Sequence, residues 1–488
     1  MTLREKISHL HRRLGFGLSH EDLDAQEKLG LNRVIENLID WEKVDEEFPV
    51  SPYEFCWRMS SKEEADLGAY RFRAWWIMRM LATKRPMQEK MTLFWHSHFA
   101  VSDSKVEDGP MMLDYVNGLR AHANGSFADL LQTASQSPAM MRYLDMNRSE
   151  RGNPNENFGR EVMELLTLGI GNYTEDDVKE VSRALTGWGY VHTYYEQPGN
   201  ADDKLKLSIK YSRPFSAFAE MPALHDPSEK TILGKKRTWN GEEVLQMLAQ
   251  HPATSRFIAG KLAKTFVTQK PEPDYVEKLA GAFRKSKGDI KAVLFAMVDS
   301  KEFWDEKNVR SIPSSPADYV IGVGRKQTVG QYLLGLRAKD ATPLTQIPQP
   351  ALDQCGYAAY RMDRAGLLLM NPPNVAGWEW GDAWITPAAM AERMQFLGHG
   401  IEQKERSDLA SERAILFASR VKLTDSAHFV SRFAEFYDVE LPKEKVMILA
   451  AILDKFGGVK VLENRGTWGG VHYTMLRNLA AAPEMHLC

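Results

Sequence analysis

The sequence predicts a predominantly α-helical fold with one small β-containing insertion. Apolar residues recur at helical spacing along most of the 488 residues, as at Leu31, Val34, Ile35 and Leu38. From about residue 188 to 239 the pattern changes, because aromatic and β-branched residues alternate with polar ones and Pro198, Gly199 and Pro214 interrupt them. The alternating residues are Tyr190, Tyr194, Leu205, Leu207, Ile209 and Tyr211. We therefore expect a multi-helix body with a strand-and-loop insertion around residues 188–239.

The composition is that of an ordinary globular protein. Hydrophobic residues make up 43% and charged residues 26%, which excludes disorder along the whole chain. The 62 basic and 65 acidic residues give a net charge of −3. Because nucleic-acid-binding proteins usually carry a basic excess, we expect no nucleic acid among the partners.

Nothing in the sequence marks a sharp domain boundary. Internal repeats, low-complexity tracts and Ser/Gly linkers are absent. We expect a helical body over residues 1–400, including the insertion, and a C-terminal helical segment over residues 401–488 that packs on the same body.

Two patterns bear on location. The longest apolar run, Val446–Leu453, is too short to span a bilayer, so no integral membrane segment is expected. The first residues contain no apolar core of a signal peptide, which predicts a cytoplasmic protein. A chain whose leader had been removed would look the same and would be periplasmic or secreted.

The densest polar cluster lies in the segment Asn153–Asn172, which is predicted to be one long helix. On a helix Asn157, Glu161 and Glu164 would form one stripe. Glu156 and Arg160 would form an adjoining stripe and an i,i+4 ion pair. The two carboxylates could be a general acid/base pair or could ligate a hard metal ion. They could equally belong to an ion-pair network that locks helices together.

The segment Trp95–Phe99 contains a His-x-His pair, His96 and His98. Residues two apart on a helix diverge by roughly 200°, so both rings could face one metal ion only on a strand or at a frayed helix end. Otherwise each is a core histidine.

Inside the irregular insertion His225 is followed by Asp226. A His beside an Asp in a loop could be an acid/base or metal-binding element. It could also be a turn in which Asp226 caps its own backbone.

Three tryptophans, Trp378, Trp380 and Trp384, fall within seven residues of a loop rich in Pro and Gly. Such large apolar surfaces are costly to leave in water. They could staple the loop to the helical body, or they could line a cleft that stacks on a ligand such as a sugar ring.

The chain resembles the bacterial family called domain of unknown function 1800. The resemblance is carried by six blocks in the family's order, and they cover nearly the whole chain. They are Arg12–Gly17, Lys90–Ala100, Asn153–Trp188, His225–Gly234, His251–Ile258 and Pro372–Ile385. The resemblance implies a mostly helical protein and no particular reaction. It also implies a candidate partner, because family members are often encoded beside proteins that resemble sulfatases and alkaline phosphatases.

These observations lead to two hypotheses about function, since the common signatures of phosphate-binding loops, dinucleotide folds and nucleophile elbows are missing. The first is a hydrolase- or lyase-type enzyme with a shared polar cleft and a divalent metal ion as candidate cofactor. Glu161 or Glu164 would be the base, His225 or His98 the acid, and Arg160 the anchor of an anionic group. The second is a non-catalytic binding or assembly protein that docks a sulfatase-like partner or a glycan through the tryptophan loop and the insertion. A purely structural helical scaffold is a third reading.

Overall fold

A computed structural model describes residues 1–58, 61–193, 215–341, 345–399 and 404–488. It confirms the predicted fold class, because helices dominate and strands are few and short. The α-helices of the first half are Leu3–Leu14, His20–Leu29, Leu31–Ile39, Ala69–Ala82, Pro86–His98, Asp103–Val106, Gly109–Ala121, Phe127–Ser135, Pro138–Tyr143, Glu156–Glu161, Glu175–Ala184 and Gly241–Ala249. A π-helix, Val162–Thr167, continues Glu156–Glu161 directly.

Helices also dominate the second half. They are Pro252–Phe266, Pro273–Lys285, Ile290–Val298, Lys301–Trp304, Pro316–Lys326, Val329–Gly335, Gln349–Arg364, Pro387–His399, Lys404–Ala418, Ser426–Phe436, Lys443–Lys455 and Trp468–Ala480. Short 3₁₀ turns join several of them, including Gly381–Trp384 in the tryptophan loop. No helix among the described residues has both the length and the apolar character needed to cross a membrane.

Within the described ranges the strands form three antiparallel two-stranded sheets. Trp57–Arg58 pairs with Ser61–Ala65. The other two sheets lie in the predicted insertion: Trp188–Thr193 pairs with Phe215–Glu220, and Lys230–Ile232 pairs with Lys235–Arg237. The alternating residues Tyr194, Leu205, Leu207, Ile209 and Tyr211 lie outside the described residues.

Helix Pro86–His98 lies in the middle of the core. All of its residues except Gln88 are buried, as expected of a helix with neighbours on every side. Its one fully buried acid, Glu89, accepts hydrogen bonds from Trp76 Nε1 at 2.8 Å, Arg79 Nε at 2.5 Å and Arg120 Nε at 2.9 Å. This network satisfies the charge of a carboxylate that has no access to water.

The C-terminal segment contacts the first helix, Leu3–Leu14, and the residues around helix Pro316–Lys326. Arg12 donates to Asp438 at 2.8 Å, and the ring of His486 stacks on Tyr319 at 5.1 Å between centroids. Leu487 forms an isolated bridge with Pro313. These contacts agree with a segment docked on the same body, and the boundary near residue 400 stays a prediction.

Candidate functional site

The polar cluster begins a helix as predicted but does not stay α-helical. The side chain of Asn155 caps the start by accepting from the Phe158 amide at 3.2 Å. After Glu161 the chain changes to a π-helix, in which the Leu168 amide donates to the carbonyl of Met163, five residues back, at 2.8 Å. Single π turns inside helices are frequent at functional sites. A π-helix has more residues per turn than an α-helix, so the side chains after Glu161 do not keep the angular spacing on which the predicted stripe of Asn157, Glu161 and Glu164 depends.

The acidic and basic groups of the cluster find partners other than those predicted. Arg160 bonds both carboxylate oxygens of Glu175 at 2.7 Å, instead of pairing with Glu156. Glu164 accepts a hydrogen bond from the Tyr173 hydroxyl. Glu161 is half-buried and makes no hydrogen bond within the described residues; burial and the nearby charge of Glu164 raise its pKa.

His98 is the last residue of helix Pro86–His98 and is held on both sides. Its Nε2 lies 3.1 Å from the carbonyl oxygen of Leu166, which accepts the ring N–H. That carbonyl belongs to the final turn of the π-helix, where backbone oxygens lack intrahelical partners. Nδ1 must then be the acceptor, and Lys261 Nζ donates to it at 2.9 Å. Burial and the positive charge of Lys261 lower the pKa of His98, so the ring is neutral.

Lys261 comes from a neighbouring helix, Pro252–Phe266. The proline begins the helix in the position where its missing N–H costs nothing, and the His251 side chain caps the next amide. Phe257, one turn before Lys261, places its ring 4.6 Å from Nζ. Among the described residues Lys261 forms no ion pair, and burial lowers its pKa to about 8.

Two adjoining cavities meet at this pair. The larger has a volume of about 590 Å³; it has apolar walls and a polar set made of His98, Glu164, Asn172, Arg256 and Lys261. The smaller, of about 350 Å³, is lined by the tryptophan loop and again by His98 and Lys261. The Lys261–His98 hydrogen bond therefore forms part of the wall common to both.

The tryptophan loop is stapled to the residue next to His98. The Trp378 amide and the Trp380 indole both donate to Ser97 Oγ, at 3.1 and 3.2 Å. Trp378 is 5% exposed and meets the ring of His96 edge-on, and Trp384 is also 5% exposed. These contacts fix the loop to the helical body, as one of the two alternatives expects, and ligand stacking stays a prediction. Trp380, partly exposed, lines the smaller cavity, where a ligand could reach it.

His96 lies on the other side of its helix from His98, as the helical geometry predicts. It is fully buried, and neither ring nitrogen has a hydrogen-bond partner in the described part of the chain. Burial lowers its pKa to about 3. No three His, Cys, Asp or Glu side chains of the described ranges lie together as metal ligands would. Both nitrogens of His98 are engaged, so the arrangement does not fit the predicted metal site.

His225 and Asp226 lie at the base of the insertion and line neither cavity. His225 Nδ1 lies 2.9 Å from the carbonyl oxygen of Thr186. Asp226 accepts from the Ser228 amide at 3.0 Å and from Arg183 Nε at 2.8 Å. Although burial raises the pKa of Asp226, these bonds lower it overall. The pair forms the capped turn that was the alternative prediction.

The structure thus brings together only some of the predicted site residues. His98, Glu164, Trp378 and Trp380 line the two cavities, whereas Asn157, Arg160 and Glu161 line neither. Two cavity residues, Arg256 and Lys261, were not predicted. The sequence did not single out Lys261, because the positions at helical spacing from it include Thr254, Lys264 and Thr265 as well as Phe257 and Ile258.

Four of the six blocks that carry the family resemblance meet at this site. They supply His98, Glu164, Arg256 and Trp378 in turn. A family model described as "Protein of unknown function (DUF1800)" matches residues 9–485. The chain belongs to the DUF1800 family. No curated protein and no solved structure matches it. Membership of the DUF1800 family indicates no reaction for this protein, because a fold does not fix a function.

Proposed function

We propose that this DUF1800 protein is an acid–base enzyme of the hydrolase or lyase type that acts on a small anionic substrate in the paired cavities. The observation that carries the proposal is the hydrogen bond of 2.9 Å from Lys261 Nζ to His98 Nδ1 at their common wall. Lys261 opens onto both cavities and has no carboxylate partner among the described residues, so it does not belong to an ion-pair network there, which is the common structural alternative to a functional role.

Lys261 is suited to move protons near neutral pH. Burial lowers its pKa to about 8, so the ammonium and amine forms are both populated near neutral pH. The neutral imidazole of His98 fixes one N–H of the lysine, and the remaining valences of Nζ are free to face a substrate. Glu164, hydrogen-bonded to the Tyr173 hydroxyl, is a second acid–base group on the same wall.

Arg256 is the group that would hold the anion. Its side chain is exposed at the larger cavity and makes no hydrogen bond or ion pair with another described residue. A guanidinium offers a rigid fork of donors that matches a carboxylate or phosphate. Arg256 therefore takes the role expected of Arg160, whose fork is occupied by Glu175.

Replacing Lys261 with Met should abolish turnover while leaving the fold intact. Loss of a positioned acid–base group costs about 10²–10⁴-fold in rate, and Met keeps the length and packing of the side chain. The measurement is kcat on a panel of p-nitrophenyl esters and small hydroxy acids, together with the melting temperature.

The matched control is Lys278→Met, which removes an exposed lysine from the neighbouring helix Pro273–Lys285. It should behave as the unmodified chain does. Equal turnover by the Lys261→Met and unmodified proteins would contradict the proposal. So would an unmodified protein whose melting temperature none of the small hydroxy acids raises.

A second candidate, a non-catalytic binding protein for a glycan or a sulfatase-like partner, is favoured by the half-buried face of Trp380. This indole lines the smaller cavity, and aromatic faces of this kind stack on sugar rings and anchor protein partners. The bacterial source that the resemblance implies stays a prediction.

Trp380→Ala should release such a partner with little loss of stability. The indole makes one side-chain hydrogen bond, to Ser97 Oγ, and is partly exposed. Co-elution with the sulfatase-like product of a neighbouring gene should weaken about 10-fold or more. Unchanged co-elution, or none with the unmodified protein, would count against this second candidate.

A further inference from the structure

We propose that Lys261 forms an imine with a small carbonyl compound that carries an anionic group, as a 2-oxo acid does. The inference rests on the proposed function and names the chemical class of its substrate. It follows from three features of the larger cavity: the environment of the amine, the position of Arg256 and the character of the walls.

The amine is held in a way that favours nucleophilic attack. Among the described residues no carboxylate pairs with Lys261, so its charged form has no counter-charge there, and its contacts are a hydrogen bond to the neutral ring of His98 and the face of the Phe257 ring. Desolvated lysines in apolar pockets are the ones that attack carbonyl groups. The lowered pKa of Lys261 agrees with this reading.

Arg256 provides the second point of recognition. It shares the helix Pro252–Phe266 and the larger cavity with Lys261, so the two groups present a nucleophile and an anion anchor to the same space. A ligand that satisfies both needs a carbonyl carbon and a negative charge, separated by no more than the span of that cavity. The volume of about 590 Å³ admits a small molecule of this kind.

The walls favour the covalent adduct. Leu165, Leu168 and Phe257 line the cavity around the amine. Apolar walls lower the local polarity, which disfavours the ammonium form.

The step balances with groups that the site and substrate supply. The lone pair of neutral Lys261 Nζ forms a bond to the carbonyl carbon, and the C=O π electrons move to oxygen, which takes up the proton that leaves nitrogen. The carbinolamine then expels water as the C=N bond forms. Until the C=N bond forms, His98 Nδ1 accepts the remaining N–H of Lys261 and does not act on the substrate, so His98 is a positioning residue.

Reductive trapping tests the proposal. The full chain is incubated with glyoxylate and cyanoborohydride in mildly alkaline buffer, so that hydride adds to the imine carbon and fixes the adduct. Peptide mass spectrometry should find the carboxymethyl group on Lys261 ahead of the other lysines. Arg256→Gln should slow trapping of glyoxylate about 10-fold, because a charge-assisted contact is lost, while trapping of uncharged acetaldehyde should not change.

Three variants sharpen the result. Lys278→Met should label as the unmodified chain does, and Lys261→Met should lose the adduct. His98→Asn, whose side-chain oxygen can replace Nδ1 as acceptor, should restore more trapping than His98→Leu. Labelling spread evenly over the exposed lysines would contradict the proposal that Lys261 forms the imine. If Lys261→Met still abolishes turnover in that case, the acid–base proposal stands without it, whereas unaffected turnover removes both.

Discussion

Replacing Glu89 with Gln is expected to lower the free energy of unfolding by about 3–5 kcal/mol. The carboxylate is fully buried and lies between two guanidinium groups, Arg79 and Arg120, with the Trp76 indole as a third donor. An amide can accept from only part of this set and carries no charge. Arg120 would lose its counter-charge in the core, and Arg79 would keep only Glu46, at 3.9 Å; that penalty exceeds the value of any single contact.

The same network gives stability a defined pH dependence. Burial alone raises the pKa of Glu89, but Arg120 and Arg79 outweigh it and hold the pKa below the ordinary 4.5. Because the pKa of Glu89 is lower in the folded than in the unfolded protein, the ionised carboxylate contributes its full stabilisation above about pH 4.5. This stabilisation disappears as the pH falls through the folded-state pKa. The stability difference between the unmodified protein and Glu89→Gln should therefore shrink in acid.

Urea unfolding followed by circular dichroism across this pH range measures both effects. The control is Glu175→Gln, which makes the same chemical change in the exposed pair with Arg160 and should leave the midpoint almost unchanged. A Glu89→Gln protein as stable as the control at neutral pH would show that the arginines find other partners.

Gly377→Ala should be nearly as damaging and should act on the site directly. Gly377 has a φ of +81°, and an added Cβ would overlap the carbonyl oxygen of Ser97 and come within 2.8 Å of its carbonyl carbon. Both obstructing atoms are backbone and cannot rotate away. The left-handed conformation costs about 1–2 kcal/mol and the overpacking about 1–3 kcal/mol more, so the loop should detach from Ser97.

Gly234→Ala separates these two costs. Its φ is +75°, but nothing lies within 4 Å of the added Cβ, so the substitution carries the backbone term alone. The Gly377 variant should unfold at a clearly lower temperature and show red-shifted tryptophan fluorescence, since Trp378 leaves the ring of His96. Equal melting temperatures for the two variants would mean that the loop is not fixed by this contact.

The fold class could be predicted from the sequence because the patterns that specify helices and strands are local. Helical periodicity and capping residues such as Asn155 and Thr174 lie within a few residues of the elements they specify. The insertion was visible for the same reason, since alternation and turn residues are local. The change to a π-helix after Glu161 was not visible, because no residue type in Val162–Thr167 distinguishes it from an ordinary turn.

The site was harder to predict because it depends on packing between distant segments. His98 and Glu164 stood out as polar residues in apolar surroundings, and they do line one cavity. Arg160 and His225 stood out equally. However, Arg160 forms an ion pair with Glu175, and His225 contacts the backbone carbonyl of Thr186. Lys261 escaped notice because a lysine on a helix is ordinary until the structure shows which face it occupies.

The central position of helix Pro86–His98 bears on how descendants of this chain can diverge. Glu89 and Ser97 hold the core and the tryptophan loop whatever the chemistry, so a lineage that lost its activity would still be selected to keep them. Lys261 and Arg256 have no comparable packing duty among the described residues and would drift. Retention of the helix would mark the architecture, whereas joint retention of Lys261 and Arg256 would mark the descendants that keep the function proposed above.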